Sequence, residues 1–344
     1  MECKLRTRSV KIAQVLGNVL MRCWAVTCLA SMLCLILYWV YGCLWAIMLL
    51  IFVTTGVLYY SEDFLLFHPD MPAHSRVFVP VPSMFGLPYE NLYVRSADGT
   101  RLHLYFIRQP GPVSARAPTV LFLHGNAGNM GHRLQNVLGL YQQLQCNVLM
   151  LEYRGYGLSQ GSPSEHGLYA DARAALDYLS SRSDINHAEV VVFGRSLGGA
   201  VAIDVAAQPE YAQKIWCLVV ENTFTSIPDM ARVLIGWRLL QYLPRFLYKN
   251  KFLSAEKVGR VTAPTLFVSG LADILVPPRM MSELHGLCRA HRQLLQLETG
   301  THNDTWTCPG YYHALANFLR DARARRGAAP APPPPSPSTR IEHV

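Results

Sequence analysis

The sequence predicts an α/β fold in which a mostly parallel β-sheet is covered by helices on both faces. From residue 119 onward, short apolar runs alternate with stretches of helix-forming residues, the pattern of repeated strand–helix–strand units. Most of these runs are continuously apolar, and strands of that kind are buried on both faces, as in parallel sheets. In such sheets the functional residues gather at the carboxyl ends of the strands.

The expected strands follow one another in a simple order. Residues 91–95 and 102–108 flank an Asp98-Gly99 turn, so we expect them to form an antiparallel hairpin. After a proline-rich loop, we expect six strands of the parallel part, at residues 119–123, 147–152, 189–194, 218–220, 265–270 and 294–297.

An apolar segment near the N-terminus predicts a membrane anchor. Hydrophobic residues make up 51% of the chain, and residues 23–60 contain no charged residue at all. A helix needs about 20 apolar residues to cross a bilayer. Residues 1–22 hold five basic residues and one acidic residue, a net charge of +4, and positive flanks stay cytoplasmic. We therefore expect a single-pass type II signal-anchor with the body lumenal or extracellular.

The same segment leaves a second topology open. Its 38 residues exceed one span, and a break near Tyr41-Gly42 would fold it into a tight hairpin. A hairpin anchor would return the body to the cytoplasm.

The formal net charge of +8 does not indicate a nucleic-acid partner. Residues 1–22 contribute +4, and residues 321–344 contribute +2 from four arginines against one Asp and one Glu. The body is therefore nearly neutral, and it carries no basic stripe with interleaved aromatics. Of the nine cysteines, the four in the body are too scattered for a disulfide framework or a zinc site.

The domain organisation follows from these features. We expect a basic segment at 1–22, the anchor region at 23–60, a connector at 61–88, one α/β domain at 89–322 and a Pro-rich disordered tail at 323–344. The domain includes an insertion at 223–261, rich in aromatic and basic residues. The insertion either covers the strand ends as a lid or rim, or packs on the body as extra helices.

Ser196 is the candidate nucleophile. It lies within Gly194-Arg195-Ser196-Leu197-Gly198, between an apolar strand and a Gly/Ala-rich helix. A serine at such a turn presents its hydroxyl above the carboxyl end of the sheet, and the glycines avoid collisions with neighbouring backbone. A plain strand–helix turn is the alternative.

A serine hydroxyl needs a base and an orienting carboxylate, which on such a sheet follow in the order Ser, acid, His. Asp273 follows the strand that ends at Gly270, and His302 follows the last expected strand. We expect these to be the acid and the base. Donors for the oxyanion come from the backbone N–H of Leu197 and from Asn126 in the Gly-rich loop after residue 123. His124 in that loop is expected to be structural.

Seven stretches spread over nearly the whole body resemble the alpha/beta-hydrolase family, and within it a membrane-anchored group with fungal and bacterial members. They are FLHGNAGNMGHR (122–133), YRGYGLS (153–159), FGRSLGGAVA (193–202), ENTFTSIP (221–228), YKNKFLS (248–254), SGLADILVPP (269–278) and GTHNDTW (300–306). The resemblance implies an α/β-hydrolase fold with an eight-stranded, mostly parallel sheet, an N-terminal transmembrane helix and serine hydrolase activity. It places Ser196, Asp273 and His302 on the charge-relay residues.

The sequence thus predicts a membrane-anchored serine hydrolase that cleaves ester or thioester bonds of lipids or S-acylated proteins, without metal or organic cofactor. A narrower alternative is a protein depalmitoylase, and a different one is a peptidase. The third is a non-catalytic binding protein on the same scaffold. Asn303 lies in an Asn-X-Thr glycosylation acceptor. Because a glycan there would crowd the mouth of the site, we expect low or no occupancy.

Overall fold

The computed structural model describes residues 17–18, 21–235 and 244–328. Its centre is an eight-stranded sheet in the order β1-β2-β4-β3-β5-β6-β7-β8. β1 pairs antiparallel with β2, β2 pairs antiparallel with β4, and the remaining neighbours are parallel. The strands are β1 Tyr89–Arg95, β2 Arg101–Ile107, β3 Thr119–Leu123, β4 Asn147–Leu151, β5 Val190–Arg195, β6 Cys217–Glu221, β7 Thr265–Gly270 and β8 Arg292–Leu297.

The predicted α/β fold, hairpin and parallel strands are confirmed. The β3 and β7 boundaries equal the predicted ones, and those of the other six strands differ by one or two residues. Such small shifts are expected, because strand ends depend on pairing with neighbours that a local pattern does not contain.

Helices cover both faces of the sheet. Side chains of successive strand residues alternate between two apolar clusters: Val192 belongs to the first, while Val191 and Phe193 belong to the second. Helices α4, α5 and α9 pack in the first cluster, and α3 and α10 pack in the second. The helices of the described residues are α1 Trp24–Tyr41, α2 Cys43–Leu66, α3 Leu134–Gln143, α4 Glu165–Ser181, α5 Leu197–Ala206, α6 Pro209–Ala212, α7 Ile227–Ile235, α8 Ser254–Lys257, α9 Pro278–Leu287 and α10 Tyr311–Ala328.

The N-terminal apolar segment forms two helices, not the single one expected. Both α1 and α2 are long and apolar enough to cross a membrane. They run antiparallel, because Cys23 Sγ lies 3.7 Å from Ser61 Oγ and Cys34 Sγ contacts the carbonyl oxygen of Ala46 at 3.6 Å. Gly42, with φ of 85°, separates them. The break falls at the position that the hairpin alternative requires.

Two expected boundaries differ from the structure. α2 continues to Leu66, past the expected start of the connector at residue 61. α10 continues to Ala328, past the expected start of the tail at residue 323. The helix can extend this far because the helix-breaking prolines of the tail begin only at Pro330. Arg323, within the extension, donates to the Glu189 carboxylate at 2.6 Å and so attaches it to the body. The rest of the expected tail, and most of the basic segment at 1–22, lie outside the described residues.

The expected insertion at 223–261 contains α7 and α8 in its described part. Phe252 of the insertion is fully buried and packs edge-on against Phe67 and Tyr169. This part of the insertion therefore packs on the body, which is the second of the two expected arrangements. Residues 236–243 lie outside the described part of the chain, and the lid or rim alternative stays a prediction.

Candidate active site

Ser196 lies at the sharp turn between β5 and α5. Its φ of 54° and ψ of −118° are unfavourable for a residue with a side chain, and such strain is typical of functional turns. A Cβ on Gly194 would lie 2.2 Å from the carbonyl oxygen of Gly198, and one on Gly198 would lie 2.1 Å from that of Leu123. Only glycine fits at these two positions, so the turn requires the spacing that the sequence shows.

Ser196, His302 and Asp273 form a chain of two hydrogen bonds. His302 Nε2 lies 3.0 Å from Ser196 Oγ, and His302 Nδ1 lies 2.7 Å from Asp273 Oδ2. Because a carboxylate only accepts, the ring proton belongs on Nδ1, which leaves Nε2 to accept from the serine hydroxyl. The structure thus brings together the three residues that the sequence selected, although they are separated by up to 106 positions.

Asp273 is held firmly for this contact. It is only 6% exposed, and its other carboxylate oxygen accepts the backbone N–H groups of Leu275 and Val276 at 2.8 and 2.9 Å. These bonds stabilise the charged carboxylate and leave Oδ2 aimed at the imidazole.

The segment that carries His302, residues 298–304, is held by polar side chains of the body. We call it the His302 loop. Asn222 Nδ2 donates to the carbonyl oxygens of Thr301 and His302 at 3.1 and 3.2 Å, and its Oδ1 accepts the N–H of Gly270 at 2.8 Å. Asn222 therefore ties the loop of the base to the strand that precedes the acid.

Arg195, the residue before the nucleophile, supports the same loop. Its Nη2 donates to the carbonyl oxygen of His302 at 3.0 Å, and its Nε lies 3.5 Å from the Glu221 carboxylate. Glu221 is fully buried and also accepts the hydroxyls of Thr305 and Tyr311. A buried charge pair needs this degree of hydrogen bonding to be tolerated. The pair fixes the β5 and β6 ends relative to the His302 loop.

Asp304 closes the His302 loop on itself. Its Oδ1 accepts both the backbone N–H and the hydroxyl of Thr301 at 2.7 Å. These two bonds lower the pKa of the Asp304 carboxyl below its ordinary value, because they favour the charged form. Asp304, two residues after His302, thus stabilises the conformation of the loop that carries the base.

Residues 124–129, the HGNAGN loop, lie against the nucleophile. A Cβ on Gly125 would lie 3.5 Å from Ser196 Cβ. Leu197, the second candidate donor, begins α5, where its N–H has no carbonyl of a preceding turn to pair with. The two backbone donors proposed for the oxyanion, Asn126 and Leu197, thus belong to segments that meet at Ser196.

His124 of this loop is fully buried beneath the site. Its Nδ1 lies 2.7 Å from the carbonyl oxygen of Gly125, and its Nε2 lies 3.1 Å from the equally buried Glu152 carboxylate. Glu152 also accepts the N–H of Met130. These contacts, with the backbone of the next residue and beside a buried carboxylate, agree with the structural role expected for His124.

Asn303, the candidate glycosylation residue, is exposed beside the proposed base. Its Oδ1 lies 3.5 Å from Arg195 Nη2. A glycan on this side chain would stand one residue away from His302. The expectation of low occupancy stays a prediction.

Asn222 and Arg195 were not singled out from the sequence. A usable signal was present, because Glu221-Asn222 directly follows an apolar strand, where functional side chains gather. Their partners lie 79 to 107 residues further along the chain. No local pattern links residues at that separation.

Comparisons with known proteins give the chain its family. Residues 118–255 match the model of a protein family whose description is alpha/beta hydrolase fold. The chain is 40% identical over 274 residues to the alpha/beta hydrolase domain-containing protein WAV2 of Arabidopsis thaliana, covering 75% of this chain and 87% of WAV2. It is 38% identical over 271 residues to protein bem46 of Schizosaccharomyces pombe, covering 78% and 89%.

Two further comparisons concern the membrane and the fold. An uncharacterized membrane protein of Saccharomyces cerevisiae is 34% identical over 272 residues, covering 78% of this chain and 92% of that protein. Together with the two apolar helices, this likeness supports membrane association. The Pyrococcus furiosus esterase Pf2001 is a solved structure with the same fold, with a TM-score of 0.57, 17% identity and coverage of 71% and 99%. The chain belongs to the alpha/beta-hydrolase family.

Proposed function

We propose that the protein is a membrane-anchored serine hydrolase that cleaves ester or thioester bonds through an acyl-enzyme. The observation that carries the proposal is the unbroken chain of hydrogen bonds from Ser196 to His302 to Asp273, at 3.0 and 2.7 Å. Membership of a hydrolase family and the fold shared with an esterase support hydrolysis as the type of reaction.

The first half of the reaction acylates Ser196. As its Oγ attacks the acyl carbonyl, His302 Nε2 accepts the hydroxyl proton, and Asp273 stabilises the imidazolium that forms. The backbone N–H groups of Leu197 and Asn126 donate to the oxyanion of the tetrahedral intermediate. His302 then protonates the departing alcohol or thiol. In the second half, water loses a proton to His302, attacks the acyl-serine and releases the acid.

An acyl substrate is favoured by the surroundings of the site. The segment beside Asp273 exposes three apolar side chains, since Leu271, Ile274 and Leu275 are 40, 97 and 42% exposed. Apolar residues grouped beside a catalytic carboxylate suit an acyl chain better than a charged peptide. The partners we propose are therefore lipid esters or S-acylated proteins at a membrane.

We also infer that the anchor is a hairpin. α1, of 18 residues, and α2, of 24 residues, have lengths of about 27 and 36 Å, close to the hydrocarbon thickness of a bilayer. Two antiparallel spans would return the body to the side of the basic N-terminus, which is the cytoplasmic side. This departs from the type II arrangement expected first, and it leaves Asn303 without a glycan.

The topology is tested by the mass of the protein from membranes, before and after glycosidase treatment. The hairpin predicts no shift. A shift that disappears in Asn303→Gln would prove a lumenal body and a single-pass anchor.

The activity is tested by hydrolysis of ester and thioester substrates by the full chain in lipid nanodiscs. We expect Ser196→Ala and His302→Ala to lose about 10⁴-fold or more in kcat, and Asp273→Asn somewhat less. An acyl-thioester peptide, a lipid ester and an acyl amide distinguish the depalmitoylase, lipase and peptidase alternatives. Turnover that is equal in wild type and Ser196→Ala would contradict the proposal, and the absence of turnover and of acyl-enzyme would favour a binding protein.

A further inference from the structure

We propose that the end of α2 is a structural part of the active site, which it completes by positioning the HGNAGN loop through the side chain of Asn126. The inference rests on the proposed function, because it assigns the HGNAGN loop the role of oxyanion donor. It adds that hydrolysis requires the membrane hairpin to be docked on the body.

The side chain of Asn126 joins the loop to the last turn of α2. Its Nδ2 donates to the carbonyl oxygen of Leu66 at 2.6 Å, and its Oδ1 accepts the N–H of His68 at 3.2 Å. Tyr156 donates its hydroxyl to the same Oδ1 at 2.8 Å. Leu66 is the last residue of α2, whose carbonyl has no partner within the helix. The loop asparagine therefore caps the helix that leaves the membrane.

The second asparagine of the loop makes equivalent contacts with the connector. Asn129 Nδ2 donates to the carbonyl oxygens of Ser75 and Phe78, both at 2.9 Å. Asn129 is fully buried. Both loop asparagines thus donate their amide hydrogen bonds to the end of α2 or to the connector that follows it. A displacement of these residues would displace the loop beside Ser196.

Two acidic residues in the last turns of α2 hold the insertion. The Glu62 carboxylate accepts the N–H groups of Lys249 and Asn250, both at 2.7 Å. Asp63 accepts Asn250 Nδ2 at 2.6 Å and pairs with the Lys249 ammonium. The helix end is therefore bonded both to the HGNAGN loop and to the insertion. Such a set of contacts fixes its position relative to Ser196.

Docking also sets the distance between the site and the bilayer. Glu62 is the first charged residue after the apolar segment, and Leu66 lies four residues further, about 6 Å along the helix axis. The Arg22 guanidinium lies 4.8 Å from the centre of the Phe64 ring, so the charged ends of both helices gather at one level. The HGNAGN loop then lies at the depth of the lipid head groups, where the carbonyl of a membrane-held acyl chain can reach it.

The test measures kcat, KM and the rate of Ser196 phosphonylation by a fluorophosphonate, on the full chain in lipid nanodiscs with a short soluble ester. We expect Asn126→Ala to lower kcat and phosphonylation about 10- to 100-fold, the cost of a misplaced oxyanion donor, with KM changed far less. The matched control is Asn136→Ala, because the Asn136 amide bonds Tyr312 of α10 and contacts neither the hairpin nor the loop. It should retain wild-type rates.

A second variant addresses the helix without touching the loop. The double variant Glu62→Gln, Asp63→Asn weakens the bonds to the insertion. We expect kcat to fall about 3- to 10-fold, while Ser196 still reacts with the fluorophosphonate. Asp177→Asn is its control, since Asp177 pairs with Lys214 at the surface.

The outcomes separate the two proposals. Wild-type kcat and phosphonylation in both Asn126→Ala and the double variant would overturn the role of the helix end and leave the serine hydrolase intact. If Ser196 of the wild type fails to react at all, the proposed function itself is contradicted. If Asn126→Ala does not fold, the double variant decides alone, and unchanged kcat in it overturns the inference.

Discussion

The two loops that meet at Ser196 are held in different ways. The His302 loop is held by side chains at the ends of β5 and β6, where Arg195 and Asn222 donate to its carbonyl oxygens. The HGNAGN loop is held by the end of α2 and the segment that follows it, through Asn126 and Asn129. Under the proposed function, the proton-transfer half of the site is therefore built into the body, and the half that faces the oxyanion depends on the end of α2 and the segment that follows it.

This difference teaches where each part of the site is vulnerable. Changes at the strand ends should impair proton transfer whatever the state of the membrane. Changes at the hairpin should impair the stabilisation of the oxyanion and leave the hydrogen bonds of His302 in place. The following three predictions test this contrast, beginning with the largest expected effect.

Asn222→Gly should lower kcat about 100-fold, since the His302 loop loses two hydrogen bonds and its tie to Gly270, and a shift of about 1 Å in the base costs that much. Glycine is chosen because Asn222 has a φ of 46°, which glycine adopts without strain. The loss should be the same in nanodiscs and in detergent. A variant with wild-type kcat would remove Asn222 from the account of the site.

Tyr156→Phe should lower kcat about 5-fold, because it deletes one hydrogen bond to Asn126 Oδ1, worth about 1 kcal/mol. The bonds of Asn126 to Leu66 and His68 remain, so the loop is loosened and not released. Steady-state kinetics in nanodiscs measures the effect. A loss as large as that of Asn126→Ala would show that Tyr156, and not the helix end, holds the loop.

Asp304→Asn should change the stability of the protein by a few tenths of a kcal/mol (about 0.5 at most), in a pH-dependent way. The pKa of Asp304 is lowered in the fold, so its stabilising effect is present above the ordinary carboxyl pKa of 3.8 and is lost as pH falls through the lowered value. Melting temperatures of wild type and variant should therefore differ at pH 6, and the difference should shrink as pH falls below 3.8. A difference that persists unchanged in acid would contradict the assignment.

Much of the fold and the three central site residues could be predicted because both are encoded locally. Each expected strand is a short apolar run, and Ser196, Asp273 and His302 each follow the end of one. The sheet topology then brings those ends to one edge, so position along the chain was enough to select the residues.

The supporting residues could not be predicted in the same way. Asn126 contacts Leu66 across 60 residues, and Asn222 contacts the His302 loop across 79 and 80. Such contacts depend on how separate segments pack, which an asparagine in a Gly-rich loop does not disclose. The apolar segment 23–60 likewise suits one long helix or two shorter ones by composition, and the break at Gly42 appears only in the structure.

One measurement tests the central claim most directly: intact and peptide mass spectrometry of the full chain in nanodiscs after reaction with a fluorophosphonate. The account predicts one phosphonyl adduct, located on Ser196, formed quickly in wild type and about 10³-fold or more slowly in His302→Ala. No adduct should form in Ser196→Ala. An adduct on a different residue, or equal labelling of wild type and Ser196→Ala, would contradict it.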